Sequence, residues 1–148
     1  MGYSDAAFHG SRHHAGCTLS KLFRPEDREC AGLAAYLATN MASLTHEQFR
    51  AFYLNGEAAQ PLDEQIWTGS HTEVSVPFRQ IVGRAIALDA TALVIAHNHP
   101  SGDPSPSRED VEVTRRLFNI CRQLDIRIQD HVIVGQQKTF SFVGQGLL

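Results

Sequence analysis

The chain has 148 residues, 43% of them hydrophobic and 20% charged, which are the proportions of one globular domain with a core of its own. Its net charge of −3 gives no bulk electrostatic reason to expect binding to nucleic acid or to an anionic membrane, although a local basic patch is not excluded. The three cysteines form no CxxC pair, which predicts a reducing, cytoplasmic location and no disulfide framework. The sequence has no apolar stretch long enough to span a membrane, so we expect no membrane partner.

The beginning of the chain is polar and lacks periodicity, so we predict a flexible N-terminal arm over residues 1–23 and one domain over residues 24–148. Beyond the arm, hydrophobic periodicity predicts the order α-β-β-α-β-α-β-β, an α/β fold in which helices pack on a mixed β-sheet. In chain order the elements are a helix over 25–40, a strand over 49–54 ending in an Asn55-Gly56 turn, a strand over 65–68 and 73–76 with a break at Gly69-Ser70, a helix over 77–88, a strand over 92–96, a helical pattern that begins near Ser107 and continues over 111–124, and strands over 126–135 and 139–143.

Two histidines follow the buried strand over residues 92–96. His97 and His99 are two residues apart, so on an extended backbone their side chains face the same side. Asp110, returned by a turn rich in glycine, proline and serine, can supply a third, anionic ligand. Three protein ligands and one open position are typical of a catalytic zinc site, in which bound water has a pKa of about 7. The pattern therefore predicts Zn²⁺ as a cofactor.

Ser107 allows two interpretations. It lies three residues before Asp110, so the two share a face of the predicted helix, and its hydroxyl could donate to an oxyanion in the same cavity. The same stretch also fits an ordinary helix start with Ser107 as the N-cap. A capping signal alone, or a His-x-His pair alone, is weak evidence for a metal. The His-x-His pair followed by a tight turn and Ser-x-x-Asp is stronger evidence than either.

These motifs resemble the JAB/MPN domains that carry a JAMM metal motif, and more narrowly their RadC branch. The resemblance rests on His-Asn-His-Pro-Ser-Gly-Asp at 97–103, Pro-Ser-Arg-Glu-Asp at 106–110 and Asp-His-Val-Ile-Val-Gly at 130–135. It covers about residues 47–148 and implies a three-layer architecture similar to that of cytidine deaminases. RadC-like chains often read Pro-Arg-Glu where this chain has Pro-Phe-Arg-Gln at 77–80. Full-length relatives place a helix-hairpin-helix region ahead of this domain, and we expect this shorter chain to be a stand-alone JAB domain.

The resemblance also implies roles for individual residues. His97, His99 and Asp110 match the zinc ligands, and Ser107 matches the serine that helps to stabilise the tetrahedral intermediate. The family's general base is a glutamate that precedes a Phe-containing strand, and Glu47 matches that position. The sequence alone leaves three other glutamates open as candidates for the base, namely Glu57, Glu64 and Glu73.

The implied function is zinc-dependent hydrolysis of a peptide or isopeptide bond in a protein substrate, with a family association to DNA repair. The alternative is a non-catalytic interaction module that acts with DNA or DNA-repair proteins. Zinc deaminases, which use His-x-Glu and Pro-Cys-x-x-Cys, do not fit, because this chain has His99 in place of the glutamate and no CxxC. In HNH nucleases the three residues are dispersed, so the contiguous triplet here is a coincidence. Asp130 and His131 are interpreted as sheet packing, with orientation of the zinc ligands as the alternative role.

Overall fold

The computed structural model describes residues 31–55, 62–69 and 76–148. The predicted N-terminal arm, the boundary at residue 24 and the beginning of the first helix lie outside these residues. The predicted order of helices and strands is confirmed. The elements are α1 (Ala31–Met41), β1 (Glu47–Leu54), β2 (Leu62–Gly69), α2 (Phe78–Ala87), β3 (Ala92–Asn98), α3 (Arg108–Arg122), β4 (Arg127–Val134) and β5 (Thr139–Ser141).

The bounds differ from the predicted ones where they matter for the site. β1 begins two residues earlier than expected, at Glu47, and β3 continues two residues further, to Asn98. His97 therefore lies within the strand, where main-chain pairing fixes its direction. The strand expected over 73–76 is not seen in the described part, because Val76 lies outside any strand and residues 73–75 are not described. β5 is also shorter than predicted and ends at Ser141.

The five strands form one mixed sheet in the order β2-β1-β3-β4-β5. β3 and β4 are parallel and the other neighbouring pairs are antiparallel. β3 is the central strand, and all seven of its residues are buried. This explains why it reads as a continuous apolar run rather than an alternating one. Among the described residues, none of the helices has the length and apolar character needed to cross a membrane.

Helices cover both faces of the sheet, which gives three layers. On one face α1 packs against side chains of the central strands, and this apolar cluster includes Leu37, Phe52 and Val94. On the other face lies a larger cluster that draws Ile81 from α2, Leu117 from α3 and Ile95 from β3. Because consecutive strand residues point to opposite faces, His97 shares the second face with Ile95. The site therefore lies on the side of the sheet that α2 and α3 cover.

A bulge in β4 breaks the strict alternation expected along this strand. Leu93 is paired with Ile128 but Val94 with Asp130, so Gln129 is an extra residue that has no partner on β3. Bulges of this kind are rare between parallel strands. If the strand alternated strictly from Ile128, which lies on the face under α2 and α3, His131 would face α1. The bulge turns His131 to the face that carries His97.

Beyond the pair formed by Phe49 and His97, the side chain of Asn98 takes the place of main-chain hydrogen bonds between β1 and β3. The carboxamide of Asn98 accepts a hydrogen bond from the Gln48 main-chain N–H at 2.8 Å and donates to the His46 carbonyl at 3.0 Å. Asn98 is 1% exposed. Its amide has one acceptor and one donor group for these two main-chain groups. It thereby fixes the segment that begins β1, which contains Glu47.

Candidate metal centre

Three of the predicted site residues meet at the C-terminal end of β3. His97 and His99 come from that strand end, and Asp110 comes from the first turn of α3. The Nε2 atoms of the two histidines are 3.0 Å apart. His97 Nε2 is 3.0 Å from Asp110 Oδ1, and His99 Nε2 is 3.4 Å from Asp110 Oδ2. Together they form a group that could hold a metal ion.

The distances and the chemistry of this group both fit a cation. Ligands of a tetrahedral zinc ion with bond lengths near 2.1 Å are separated by about 3.4 Å. The two Nε2 atoms are 3.0 Å apart, and the Asp110 carboxylate faces His97 with Oδ1 at 3.0 Å and His99 with Oδ2 at 3.4 Å, separations close to that value. Two imidazole lone pairs and a carboxylate directed at one point also repel one another unless a proton or a cation lies between them. Imidazole and carboxylate are ligands that zinc accepts.

The loop that carries His99 is held against the turn between β4 and β5. The His99 main-chain N–H donates to the Val134 carbonyl at 2.9 Å, and the Gln136 N–H donates to the Gly102 carbonyl at 3.1 Å. Gly102 has a φ of +88°, which favours glycine. A Cβ atom at Gly135 would lie 2.3 Å from the Gly102 oxygen, so glycine is required at this close approach. The position of His99 is thus set by main-chain contacts.

A main-chain carbonyl orients the His99 ring. Its Nδ1 lies 2.8 Å from the carbonyl oxygen of Asp103, to which it can only donate. The opposite nitrogen, Nε2, is then the one directed at Asp110. The hydrogen bond to Asp110 raises the pKa of His99, against the opposing effect of burial, and the negative charge of Glu47 adds to the increase. A cation at the site would replace the proton that these carboxylates favour.

Asp110 begins α3 as well as facing the histidines. Ser107 is the N-cap, and its hydroxyl accepts a hydrogen bond from the Asp110 main-chain N–H at 3.1 Å. In return Asp110 Oδ2 accepts from the Ser107 main-chain N–H at 2.7 Å and from its hydroxyl at 2.6 Å. Burial alone would raise the pKa of the Asp110 carboxyl, but the adjacent rings of His97 and His99 and the hydrogen bond from Ser107 hold it far below its usual range. The carboxylate is therefore ionised.

The capping interpretation of Ser107 is thus confirmed, because the residues form a capping box. Its role toward an oxyanion remains a prediction. In the structure the Ser107 hydroxyl gives its hydrogen to Asp110 Oδ2. The Ser107 main-chain N–H holds the same oxygen, so rotation of the hydroxyl toward a substrate would leave the cap partly intact. The two roles are compatible in space.

Behind His97 lies a buried polar group that the sequence interpretation treated as packing. His97 Nδ1 is 2.8 Å from His131 Nε2, and His131 Nδ1 is 2.5 Å from the Thr114 hydroxyl. All three residues are at most 2% exposed. Burial holds the pKa of His131 well below its usual value, and the ring stacks on Phe142 with centroids 4.7 Å apart. In the sequence, the polar Asp-His pair within β4 was the feature that could have indicated this group. Nothing in the sequence distinguished Thr114.

Glu47 is the first residue of β1 and lies at the same end of the sheet as His99. Phe49 pairs with His97, so Glu47, two residues earlier on an antiparallel strand, points to the same face beside the end of β3. Its side chain is half-buried. Of the competing glutamates, Glu64 pairs with Ala51, which in turn pairs with Ile95, nearer the middle of the sheet. Glu57 and Glu73 lie outside the described residues.

The comparison with family models returns a match to the RadC-like JAB domain over residues 28–147. The chain belongs to the RadC-like JAB domain family. It is 42% identical over 113 residues to UPF0758 protein YeeS of Escherichia coli (strain K12), an alignment that covers 76% of each chain. It is 40% identical over 113 residues to UPF0758 protein YkfG of the same organism, covering 76% of this chain and 72% of that protein. UPF0758 protein SPO0054 of Ruegeria pomeroyi is 40% identical over 116 residues, which are 78% of this chain and 52% of that protein.

Membership of the RadC-like JAB family confirms the resemblance and the α/β fold inferred from the sequence. The names of these relatives describe no reaction. What the RadC-like JAB domain does in this chain must therefore be argued from the site at the end of β3.

Proposed function

We propose that this chain is a zinc-dependent hydrolase that cleaves peptide or isopeptide bonds. The observation that carries the proposal is the convergence of three residues: His97 Nε2 and His99 Nε2 are 3.0 Å apart, and each lies within 3.4 Å of one oxygen of the Asp110 carboxylate. Only three residues contribute ligand atoms to this group among the described residues. Three protein ligands leave one position for water or substrate, which is the arrangement of catalytic zinc sites.

When bound, zinc polarises the scissile carbonyl and lowers the pKa of the attacking water. Glu47 supplies the general base in this proposal. Glu47 begins β1 at the end of the sheet where His99 lies, and its negative charge contributes to raising the pKa of that ring. It takes a proton from the attacking water and passes it to the leaving amine, a role for which a positioned carboxylate contributes a factor of about 10²–10⁴ in rate.

The remaining residues orient the two histidine ligands and stabilise the oxyanion. Asp103 and His131 fix the rings of His99 and His97 through their Nδ1 atoms. Ser107 turns its hydroxyl from Asp110 toward the oxyanion as the carbonyl becomes tetrahedral. Such a donor contributes a factor of about 10²–10³ in rate when it is aimed at the developing charge.

Two substitutions test the proposal. Glu47→Gln keeps the size of the side chain and removes the base, so the purified variant should retain zinc and lose hydrolysis by about 10²-fold or more. Asp110→Asn keeps an oxygen for the cap of α3 and removes the ligand charge, so the variant should lose both zinc and activity. Zinc is measured per chain by metal analysis. Hydrolysis is assayed on a panel of peptides and ubiquitin-like conjugates.

Glu109→Gln is the matched control, because Glu109 is an exposed carboxylate of the same helix turn. It should change neither zinc content nor activity. If freshly purified protein holds no stoichiometric zinc, or if Glu47→Gln hydrolyses as the wild type does, the proposal is wrong. DNA-binding titrations over a range of salt concentrations complete the design. Steeply salt-dependent binding without hydrolysis would favour the interaction module.

A further inference from the structure

The buried group behind His97 forms a path between two of the three candidate ligands. It runs from the His97 ring through His131 to the hydroxyl of Thr114, and from there to the main-chain carbonyl of Asp110. The successive distances are 2.8, 2.5 and 2.6 Å. One ligand is thus tied through two buried side chains to the residue that supplies another.

The last contact fixes the direction of the whole path. A carbonyl oxygen cannot donate, so the 2.6 Å contact with the Asp110 carbonyl requires the hydrogen of the Thr114 hydroxyl. That hydroxyl has no second hydrogen, and it must therefore accept from His131 Nδ1. A neutral His131 then presents a lone pair at Nε2.

The direction of the path decides which nitrogen of His97 is free to bind. His131 Nε2 accepts, so His97 Nδ1 must carry the proton and His97 Nε2 keeps its lone pair. In the opposite direction Thr114 would donate to His131, His131 would donate to His97 Nδ1, and His97 Nε2 would hold the proton. A protonated Nε2 cannot bind a metal ion.

We propose that His131 and Thr114 are positioning residues that fix His97 in the form with a proton on Nδ1, so that its Nε2 faces His99 and Asp110 ready to bind zinc. The inference rests on the proposed metal site. Packing supports it, because the His131 ring is fully buried and stacks on Phe142 at an interplanar angle of 13°, which prevents an easy change of ring orientation. The bulge at Gln129 is what places His131 on this face.

Thr114→Val is the decisive variant because it keeps the shape of the side chain and removes the hydroxyl. His131 Nδ1 then has no acceptor, and a buried N–H without a partner is more rarely tolerated than an unpaired lone pair. The His131 proton should move to Nε2, and the path should reverse. We expect zinc affinity to fall by about 10–100-fold, the usual effect of losing a partner that orients a ligand. Zinc alone is the probe, titrated against a chromophoric chelator.

Thr114→Ser is the matched control, since it retains the hydroxyl. It should bind zinc within about threefold of the wild type, and the unfolding temperatures of both variants should be compared to confirm that each is folded. The second measurement is NMR of the histidine rings with ¹⁵N labelling, which reports the protonated nitrogen. It should show a proton on Nδ1 of both His97 and His131 in the metal-free and zinc-loaded wild type.

The possible results separate this inference from the proposed function. If Thr114→Val binds zinc as Thr114→Ser does, or if the wild-type His97 lacks a proton on Nδ1, the positioning role is wrong even though the metal site stands. If the wild type binds no zinc but NMR finds the two Nδ1 protons, the proposed function is wrong and the fixed ring form is supported. The NMR measurement on the wild type requires no variant, so a failure of Thr114→Val to fold leaves it decisive.

Discussion

The two faces of the central sheet differ in what they bury. The face under α1 holds an apolar cluster in which Phe52, Val94 and Leu37 are fully buried. The face under α2 and α3 is apolar from Leu93 to Ile95 and then becomes polar, with His97, His131 and Thr114 equally buried. The central strand β3 therefore contributes one side to an apolar cluster and the other side to a cluster that ends in the candidate metal site.

The difference shows what a buried polar group needs in order to be tolerated. Each of the polar side chains behind the site has a partner, since His97 Nδ1, both ring nitrogens of His131 and the Thr114 hydroxyl lie within hydrogen-bond distance of a complementary atom. Such groups cost little when every member is paired and a great deal when one is missing. Changes in the apolar cluster under α1 should therefore affect stability alone, and changes in the polar group behind His97 should affect metal binding first.

The largest effect should come from removing the metal. We expect a chelator to abolish hydrolysis, and zinc to restore it, while the far-ultraviolet circular dichroism stays unchanged because apolar packing supports both faces. Zinc held at a thousand times its dissociation constant would add about 4 kcal/mol to the free energy of unfolding, and the chelator would remove that contribution. Circular dichroism, unfolding temperature and activity are measured on one sample before and after treatment. Unchanged hydrolysis in the chelated protein would contradict the prediction.

Phe52→Ala should break the α1 face and leave the site intact. Phe52 is fully buried, and its ring meets Tyr36 edge-on with centroids 6.3 Å apart. Truncation of a buried phenylalanine lowers the free energy of unfolding by about 3–5 kcal/mol. Zinc content per folded chain should stay that of the wild type. Phe52→Leu is the milder companion, with an expected loss below about 1.5 kcal/mol, and a loss of zinc in this variant would show that the faces are not independent.

Gly135→Ala should disturb the site from outside the cores. The new Cβ would lie 2.8 Å from Pro104 as well as against the Gly102 oxygen, so the loop that carries His99 must shift. We expect a loss of about 1–3 kcal/mol in the free energy of unfolding, together with weaker zinc binding. Gly83→Ala is the control, because a Cβ there meets nothing within 4 Å. Because alanine is favoured over glycine within a helix, Gly83→Ala should raise the free energy of unfolding by about 0.5–1 kcal/mol. Equal behaviour of the two variants would contradict the role given to the close approach.

Ser107→Ala should have the smallest effect on stability. Loss of the N-cap of α3 costs about 1 kcal/mol in the free energy of unfolding, because the Asp110 main-chain N–H loses its acceptor. Ser107→Thr should recover most of it. If Ser107 also stabilises the oxyanion, the alanine variant should lose activity by about 10²-fold or more with zinc content unchanged. A loss of stability with full activity would leave the residue with the capping role alone.

The order of the elements was predictable because each has its own periodicity, and the metal group was predictable because its residues lie at fixed spacings. His97 and His99 share a strand face, and Asp110 follows one turn later, so a short stretch of sequence brings three ligands together. The role of His131 was not predictable in this way. It depends on Gln129 as an extra residue in β4, and alternation of polar and apolar letters cannot show on which face a strand continues after a bulge. Thr114, which belongs to a helix face, meets His131 only through the tertiary fold.

The carboxamide of Asn98 makes the position of the segment around Glu47 depend on a single atom. It bridges the carbonyl of His46 and the N–H of Gln48, the two neighbours of Glu47. Exchange of its nitrogen for oxygen, as in chemical deamidation to aspartate, would leave the His46 carbonyl without its donor and place a second negative charge beside Glu47. Deep burial of Asn98 shields that bond from water. The rate of deamidation at Asn98 in a stored sample would then depend on how often local unfolding at this end of the sheet exposes its side chain to water.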